Sequence, residues 1–248
     1  MSSDAAERPV ALVTGANRGI GYEVCRQLAG KGYAVLLAAR DAAKGTEAAA
    51  ALAAEGLNVR APSLPLDVTD PAGVAVFAEE IARTPGRLDV LVNNAAAVAG
   101  WSETASTADL DAARALFDAN LFGGWRVTQA LLPLLRRSEH PRIVFVSSGA
   151  GSHADTDFGL TTGRGSVASY GVSKAAVNAL VAKFAAELEG TGVLVNAVCP
   201  GLTATAPGME AMGARPVAEG AAGIVWAATL PDGGPTGGFF RDGKPIPW

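Results

Sequence analysis

"VALVTGANRGIG", residues 10–21, decides how the rest of the chain is read. Val10–Thr14 is an aliphatic, β-branched run of the kind found in a strand buried on both faces. Glycines follow at 15, 19 and 21, and Ile20, Val24 and Leu28 then recur at helical spacing until Gly30 and Gly32 end the pattern. The stretch is a strand, a tight turn and a helix. Such a turn lets backbone approach an anion, and the helix start offers it unpaired N–H groups and the positive end of the macrodipole. The spacing is G-x-x-x-G-x-G, not the G-x-G-x-x-G of the general dinucleotide fingerprint. The nucleotide reading therefore rests on position, after the first strand and ahead of an amphipathic helix.

The same alternation repeats along the chain. "YAVLLAA" (33–39) is a second strand, followed by an alanine-rich helix to about Ala54. "NVRAPSLPLDV" (58–68) holds a third, and its prolines point to a sheet edge. Asp70-Pro71 caps and opens a helix whose buried face is Val74, Phe77 and Ile81. "LDVLVNNA" (88–95) is strand four, and a long helix over roughly 108–136 turns Leu110, Phe117, Leu121 and Leu131 inward. "RIVFVSS" (142–148) and "VLVNAVCP" (193–200) are strands five and six, with a last short strand near Phe239. Continuous apolar strands alternating with helices predict one α/β domain over residues 1–248, a doubly wound parallel sheet of about seven strands with helices on both faces.

Composition excludes several classes. The 248 residues are 49% hydrophobic with a net charge of -4, and the Lys and Arg residues are scattered, unlike the basic footprint of a nucleic-acid binder. No apolar run reaches the ~18 residues of a membrane span, and "MSSDAAERPV" lacks the layout of a secretory signal, so a cytoplasmic location is expected. Cys25 and Cys199 fall inside apolar elements and read as reduced core thiols. The two histidines, His140 and His153, have no ligand-spaced companions, so no metal site is expected.

Strand two ends at Arg40, where an NAD site would place a carboxylate for the ribose 2′-hydroxyl. The planar fork of Arg40 suits a 2′-phosphate, and Arg18 in the glycine turn reaches toward the same region; together they favour NADP(H) over NAD(H), although Asp41 follows directly. "SYGVSKAAV" (169–177) then sets Tyr170 and Lys174 four residues apart, on one face of a helix buried through Val177, Leu180, Val181, Phe184 and Leu188.

With these residues in view, the chain resembles the short-chain dehydrogenases/reductases from Val10 to about Gly201. The ordered matches are "TGANRGIG", "LDVT", "LDVLVNNAA", a helix asparagine, "VSS", "YGVSK" and "VNAVCPG". The resemblance implies a single NAD(P)-binding Rossmann-type domain that transfers hydride between the cofactor and a small carbonyl substrate. It implies that Tyr170 is the proton donor, with a pKa lowered by Lys174 and the oxidised nicotinamide, and that Lys174 also holds the nicotinamide ribose. Ser148 binds the substrate oxygen, with Ser147 as the alternative, and Asn120 supports a proton relay. For the cofactor it implies Gly15, Asn17, Arg18, Gly19, Ile20 and Gly21 at the diphosphate. Arg40, Asp67 and Val68 serve the adenosine end, Asn93 and Ala95 its ribose, and Pro200, Gly201 and Thr205 the nicotinamide, flanked by Val198.

The departures are informative. Ala96 replaces the glycine usual in the family's NNAG, which predicts a small backbone adjustment. The stretch between Ser148 and Tyr170 is longer than the family's short form, which resembles the carbonyl reductase branch and predicts a loop insert over about 149–168. In that branch such an insert covers the pairing surface, leaving monomer and homo-oligomer both open. Residues 201–216 are expected to form a substrate lid. Trp101, His153, Phe158, Met209 and Met212 are candidate pocket walls, suited to an apolar ketone, aldehyde or quinone. Three hypotheses stand at this point: an NADPH-dependent carbonyl reductase (with an NAD-dependent alcohol dehydrogenase as its variant), a non-catalytic dinucleotide-binding protein, and a lyase or epimerase with tightly held NAD. The intact Ser148, Tyr170 and Lys174 favour the first, and no nucleic-acid or membrane partner is expected.

Overall fold

The computed structural model describes residues 8–248; residues 1–7, most of the stretch read above for a secretory signal, lie outside that description. One sheet of eight strands runs in the order β3-β2-β1-β4-β5-β6-β7-β8. Its strands are β1 (Val10–Thr14), β2 (Ala34–Ala38), β3 (Val59–Arg60), β4 (Val90–Asn93), β5 (Arg142–Val146), β6 (Leu194–Val198), β7 (Phe239–Arg241) and β8 (Lys244–Pro245). All neighbours are parallel except β7 and β8, which pair as a hairpin. The order reverses between β1 and β4, opening a crevice at the carboxyl ends of those strands where α/β sheets take their ligands.

The strands are apolar throughout because both faces are covered. Leu12, Leu36, Leu91, Ile143 and Phe145 point to a core shared with Phe77, Ile81, Leu131, Val177, Val181 and Phe184. The intervening Ala11, Val13, Val35, Leu37, Val90, Val92 and Val144 point to the opposite core with Val24, Cys25, Leu28, Leu52 and Ile224. Helices α3 (Pro71–Arg83), α5 (Gly124–Leu135) and α6 (Ala168–Glu187) cover the first face; α1 (Gly19–Gly30), α2 (Ala42–Ala54) and α7 (Val217–Ala228) cover the second. Both cysteines are buried and free.

Three points of the sequence reading need correcting. The sheet has eight strands, not about seven, because Asp242-Gly243 turns the chain back into β8; Asp-Gly is a strong hairpin signal that went unused. Strand three lies at the sheet edge, as its prolines indicated, and pairs only at Val59–Arg60, since Pro62 and Pro65 have no N–H for a ladder. Helix α7 was not foreseen. The helix expected over 108–136 is α4 (Leu110–Phe117), a π-helical segment Asp118–Gly123, and α5. The wider turn shifts the phase of the apolar stripe, so Leu110 is 66% exposed, Phe117 and Leu121 are only partly covered, and Leu116 is the buried residue of α4.

Candidate active site

The glycine turn lies at the switch point. Gly15 and Gly19 adopt left-handed φ values of 62° and 58°. A Cβ on Gly15 would lie 2.8 Å from Cα of Ala95, so the close approach of the two loops requires glycine. The loop after β4 is bonded to this turn: Thr14 Oγ1 accepts from the N–H groups of Asn94 and Ala95, both at 3.0 Å. Asn94 Nδ2 donates to the carbonyls of Thr14 at 2.8 Å and Gly15 at 3.1 Å. Asn94 was not singled out from the sequence, although it stands beside Asn93 in the "VNNAA" match. Asn93 itself is buried, donating to Thr128 Oγ1 at 2.9 Å while its Oδ1 lacks a partner. Ala96 is exposed and has no positive φ, so the missing glycine is accommodated at an ordinary backbone conformation.

The turn suits a diphosphate. Arg18 holds the N-cap position of α1 in an extended conformation without a side-chain cap, leaving the first N–H groups without a side-chain acceptor. Asn17 and Ile20 are partly buried beside it, and a Cβ on Gly19 would sit 3.5 Å from Cγ2 of Thr205, so residues from the predicted lid reach the turn. Just beyond β2, Arg40 is exposed and its charge helps hold the Asp67 carboxyl below the usual range, after the hydrogen bonds Asp67 accepts from Thr69. The Asp41 carboxylate is engaged as the cap of α2, accepting from the Lys44 N–H at 3.1 Å. Val68 is held through its carbonyl by Arg126 Nη1, and the same guanidinium bonds Asp118 at 3.1 Å.

Tyr170 and Lys174 stand on the first turns of α6, with the end of β5 facing them. Lys174 is only 3% exposed; its Nζ lies 5.6 Å from the Tyr170 ring centroid and donates to the Val146 carbonyl at 2.9 Å. The adjacent serines diverge. Ser147, 2% exposed, turns into the core and bonds Asn178 Oδ1 at 2.5 Å, whereas Ser148 Oγ accepts from the Ala150 N–H at 3.2 Å and lies beside the Tyr170 phenol. Burial pushes the Tyr170 phenol up to about 12, only partly opposed by Ser148, and burial pushes Lys174 down to about 8. The expected lowering of the phenol pKa is therefore not supplied by the protein's own groups: desolvation outweighs the influence of Ser148.

Asn120 sits in the π-helical segment, where the wide turn directs a buried amide inward. Its Oδ1 accepts from the Ala97 N–H at 2.7 Å; its Nδ2 donates to the Ala97 carbonyl at 3.0 Å and to Ser173 Oγ at 3.1 Å. Ser173 Oγ in turn donates to the Tyr170 carbonyl at 2.7 Å. The direct bonds of Asn120 thus reach the loop after β4 and the turn below Tyr170, not Lys174.

After β6, Pro200 and Gly201 form a turn that sequence reasoning linked to the nicotinamide but whose anchor it missed. Arg215 Nε donates to the Pro200 carbonyl at 2.7 Å and Nη1 pairs with Asp242 at 2.7 Å. A bridge between Thr203 and Arg215 closes the base of the 201–216 segment, which carries one short 3-10 turn, Met209–Met212. The 149–168 insert is folded around Asp155. Its carboxylate accepts from the Asp157 and Phe158 N–H groups at 2.9 and 3.0 Å and pairs with Arg241; these contacts outweigh burial and hold the carboxyl below its usual range. The C-terminal residues after β8 secure the same insert, since Ser152 Oγ donates to the Pro247 carbonyl and the His153 N–H to that of Trp248. Of the expected pocket walls, Trp101, His153, Phe158 and Met212 are exposed and Met209 is partly buried. The Phe158 ring faces Arg241. A surface groove of about 520 Å³ lined by Leu110, Phe117 and Phe122 shares no residue with the Ser148, Tyr170 and Lys174 cluster. Among the described residues no group of His, Cys, Asp and Glu is arranged to hold a metal, and no helix is long and apolar enough to cross a membrane.

Comparison with known proteins agrees with this arrangement. A family model described as short chain dehydrogenase matches residues 9–214. A (-)-isopiperitenone reductase of Mentha piperita is 38% identical, with 95% of this chain and 97% of the relative covered. The structure of salutaridine reductase from Papaver somniferum superposes with a TM-score of 0.77 at 32% identity, covering 95% of this chain and all of that one. An NADPH-bound carbonyl reductase from chicken fatty liver gives a TM-score of 0.84 at 27% identity, covering 98% and 100%.

Proposed function

Because the chain belongs to the short-chain dehydrogenase/reductase family, whose members bind a nicotinamide dinucleotide, we propose that it reduces a small apolar carbonyl compound, a ketone, aldehyde or quinone, to the alcohol at the expense of NADPH. The observation that carries this reading is the meeting of Ser148, Tyr170 and Lys174 at the carboxyl edge of the sheet, with Ser148 beside the phenol and Lys174 Nζ 5.6 Å from its ring. A nicotinamide bound along this crevice would supply the hydride for the carbonyl carbon. Ser148 holds the carbonyl oxygen and Tyr170 gives it a proton; a phenol kept near 12 by burial carries that proton throughout the neutral range. Lys174, buried and still mostly charged at neutral pH, supports the cofactor ribose.

NADPH is preferred to NADH on three grounds. Arg40 and Arg18 are both exposed around the adenosine end. A guanidinium presents a planar fork to a phosphate. Asp41, the one carboxylate that follows strand two directly, is occupied as a helix cap. The cofactor is held by Gly15, Asn17, Gly19, Ile20 and Gly21 at the diphosphate, by Asp67, Val68, Asn93 and Ala95 along the adenosine, and by Pro200, Gly201 and Thr205 at the nicotinamide. The test is loss of reduced-nicotinamide absorbance with NADPH and NADH separately against a panel of ketones, aldehydes and quinones. NADPH is expected to be consumed with at least one apolar carbonyl, and Arg40→Ala is expected to erode the preference for NADPH. Preference for NADH in the wild type, unchanged by Arg40→Ala, would overturn the cofactor assignment.

A further inference from the structure

Helix α6 carries both Tyr170 and Lys174, yet it begins badly. Its N-cap is Val167, which supplies no side-chain cap and adopts φ 49°, ψ 41°. A β-branched residue in the left-handed region is strained and persists only where its surroundings over-determine it. The missing cap comes from elsewhere in the chain. Glu103, on the loop after β4, accepts through Oε2 from the Ser169 N–H at 2.9 Å and from the Ser169 hydroxyl at 2.6 Å. Its carbonyl accepts from the Ala168 N–H at 3.3 Å. Two of the first N–H groups of α6 are thus satisfied by one residue more than sixty positions away, whose carboxylate also meets the positive end of the helix.

A second tie runs between the same two elements. Ala97, on the same loop, is bonded at both its N–H and its carbonyl by Asn120, which also donates to Ser173. The loop after β4 therefore grips α6 at Ser169 and, through Asn120, at Ser173, and Tyr170 lies between the two grips. Trp101 rides the same turn as Glu103, whose N–H donates to the Gly100 carbonyl at 3.1 Å.

We propose that Glu103 is a positioning residue for the reaction: by capping α6 from the loop after β4 and holding the strained Val167 turn, it fixes Tyr170 relative to the crevice and couples the placement of Trp101 to that of the proton donor. This rests on the reading of Tyr170 given above. Without the cap, Val167 relaxes toward an ordinary conformation and the first turn of α6 frays, and displacements on the scale of an ångström are costly where reacting atoms must be aligned.

The experiment compares Glu103→Ala, Glu103→Gln and the double variant Glu103→Ala/Val167→Gly by two readouts, one independent of activity. Hydrogen exchange of the peptide covering 166–173 is expected to accelerate roughly fivefold in Glu103→Ala, the scale of a lost cap. With the best carbonyl of the panel, kcat is expected to fall about tenfold or more while NADPH affinity is unchanged. Glu103→Gln keeps an acceptor oxygen for both Ser169 donors and is expected to restore protection and kcat. Val167→Gly removes the strain and is expected to recover part of both in the alanine background. Should Glu103→Ala fail to fold, Ser169→Ala deletes only the hydroxyl bond and is expected to shift both readouts the same way, less far. Unchanged exchange in these variants, or faster exchange with full kcat, would overturn the proposal. Failure of the Tyr170 reading would show separately, as a Tyr170→Phe enzyme that remains active whatever the exchange data say.

Discussion

Ser147 and Ser148 leave the end of β5 in opposite directions because side chains alternate along an extended chain. The first descends to Asn178 and the second meets Tyr170. Sequence alone offered the pair and the family resemblance favoured the second; the alternation supplies the physical reason. The pKa values of the site were less legible, because they depend on burial that no motif states. Tyr170 at about 12 stays protonated through neutral and mildly alkaline pH, whereas Lys174 at about 8 does not stay charged. The sign follows directly: the form that supports the cofactor is the ammonium, which is lost as pH rises through about 8. The ratio kcat/KM for NADPH is thus expected to be level on the neutral side and to fall with a slope approaching one above pH about 8. A profile that stays flat to roughly pH 10, beyond any reach of the lowered value, would contradict the placement of Lys174 in cofactor capture.

At the scale of elements, the π-helical segment Asp118–Gly123 explains both a success and an error of sequence reasoning. Asn120 is a mediocre helix former set in a helical stretch, and its amide is the knot between the loop after β4 and α6. The same wide turn defeated the periodicity argument. A stripe extrapolated at 3.6 residues per turn assigned Leu110 to the core, and the extra residue rotates that position to the surface. Removing the amide in Asn120→Ala leaves both backbone groups of Ala97 and the Ser173 hydroxyl short of partners. Stability in urea is expected to fall by about 1–3 kcal/mol, the cost of unsatisfied buried polar groups, with kcat reduced as well. Unchanged stability would mean that water replaces the amide at no cost and that the knot does not hold the elements together.

Across the whole molecule, the parallel sheet and its two-faced core followed from sequence because parallel strands buried on both sides are apolar without interruption, a pattern short runs such as "VALVT" and "RIVFV" display plainly. The glycine turn, the end of β4 and the start of α6 converge at the switch point because the topology brings the carboxyl ends of β1, β4 and β5 together. What the sequence did not disclose are long-range anchors with no local signature: Asn94 on the glycine turn, Arg215 on the Pro200 carbonyl, Arg241 on Asp155 and Glu103 on α6. Each joins segments far apart in the chain, where spacing carries no information. One of them, Glu103, holds the helix turn that carries the Tyr170 phenol, whose proton is central to the proposed reduction. The most direct measurement is NADPH consumption by Tyr170→Phe with a carbonyl that the wild type reduces, alongside cofactor binding followed by nicotinamide fluorescence. Turnover is expected to drop about 10²–10⁴-fold, the usual worth of a positioned general acid, with NADPH still bound as tightly; turnover close to wild type in that variant would contradict the account.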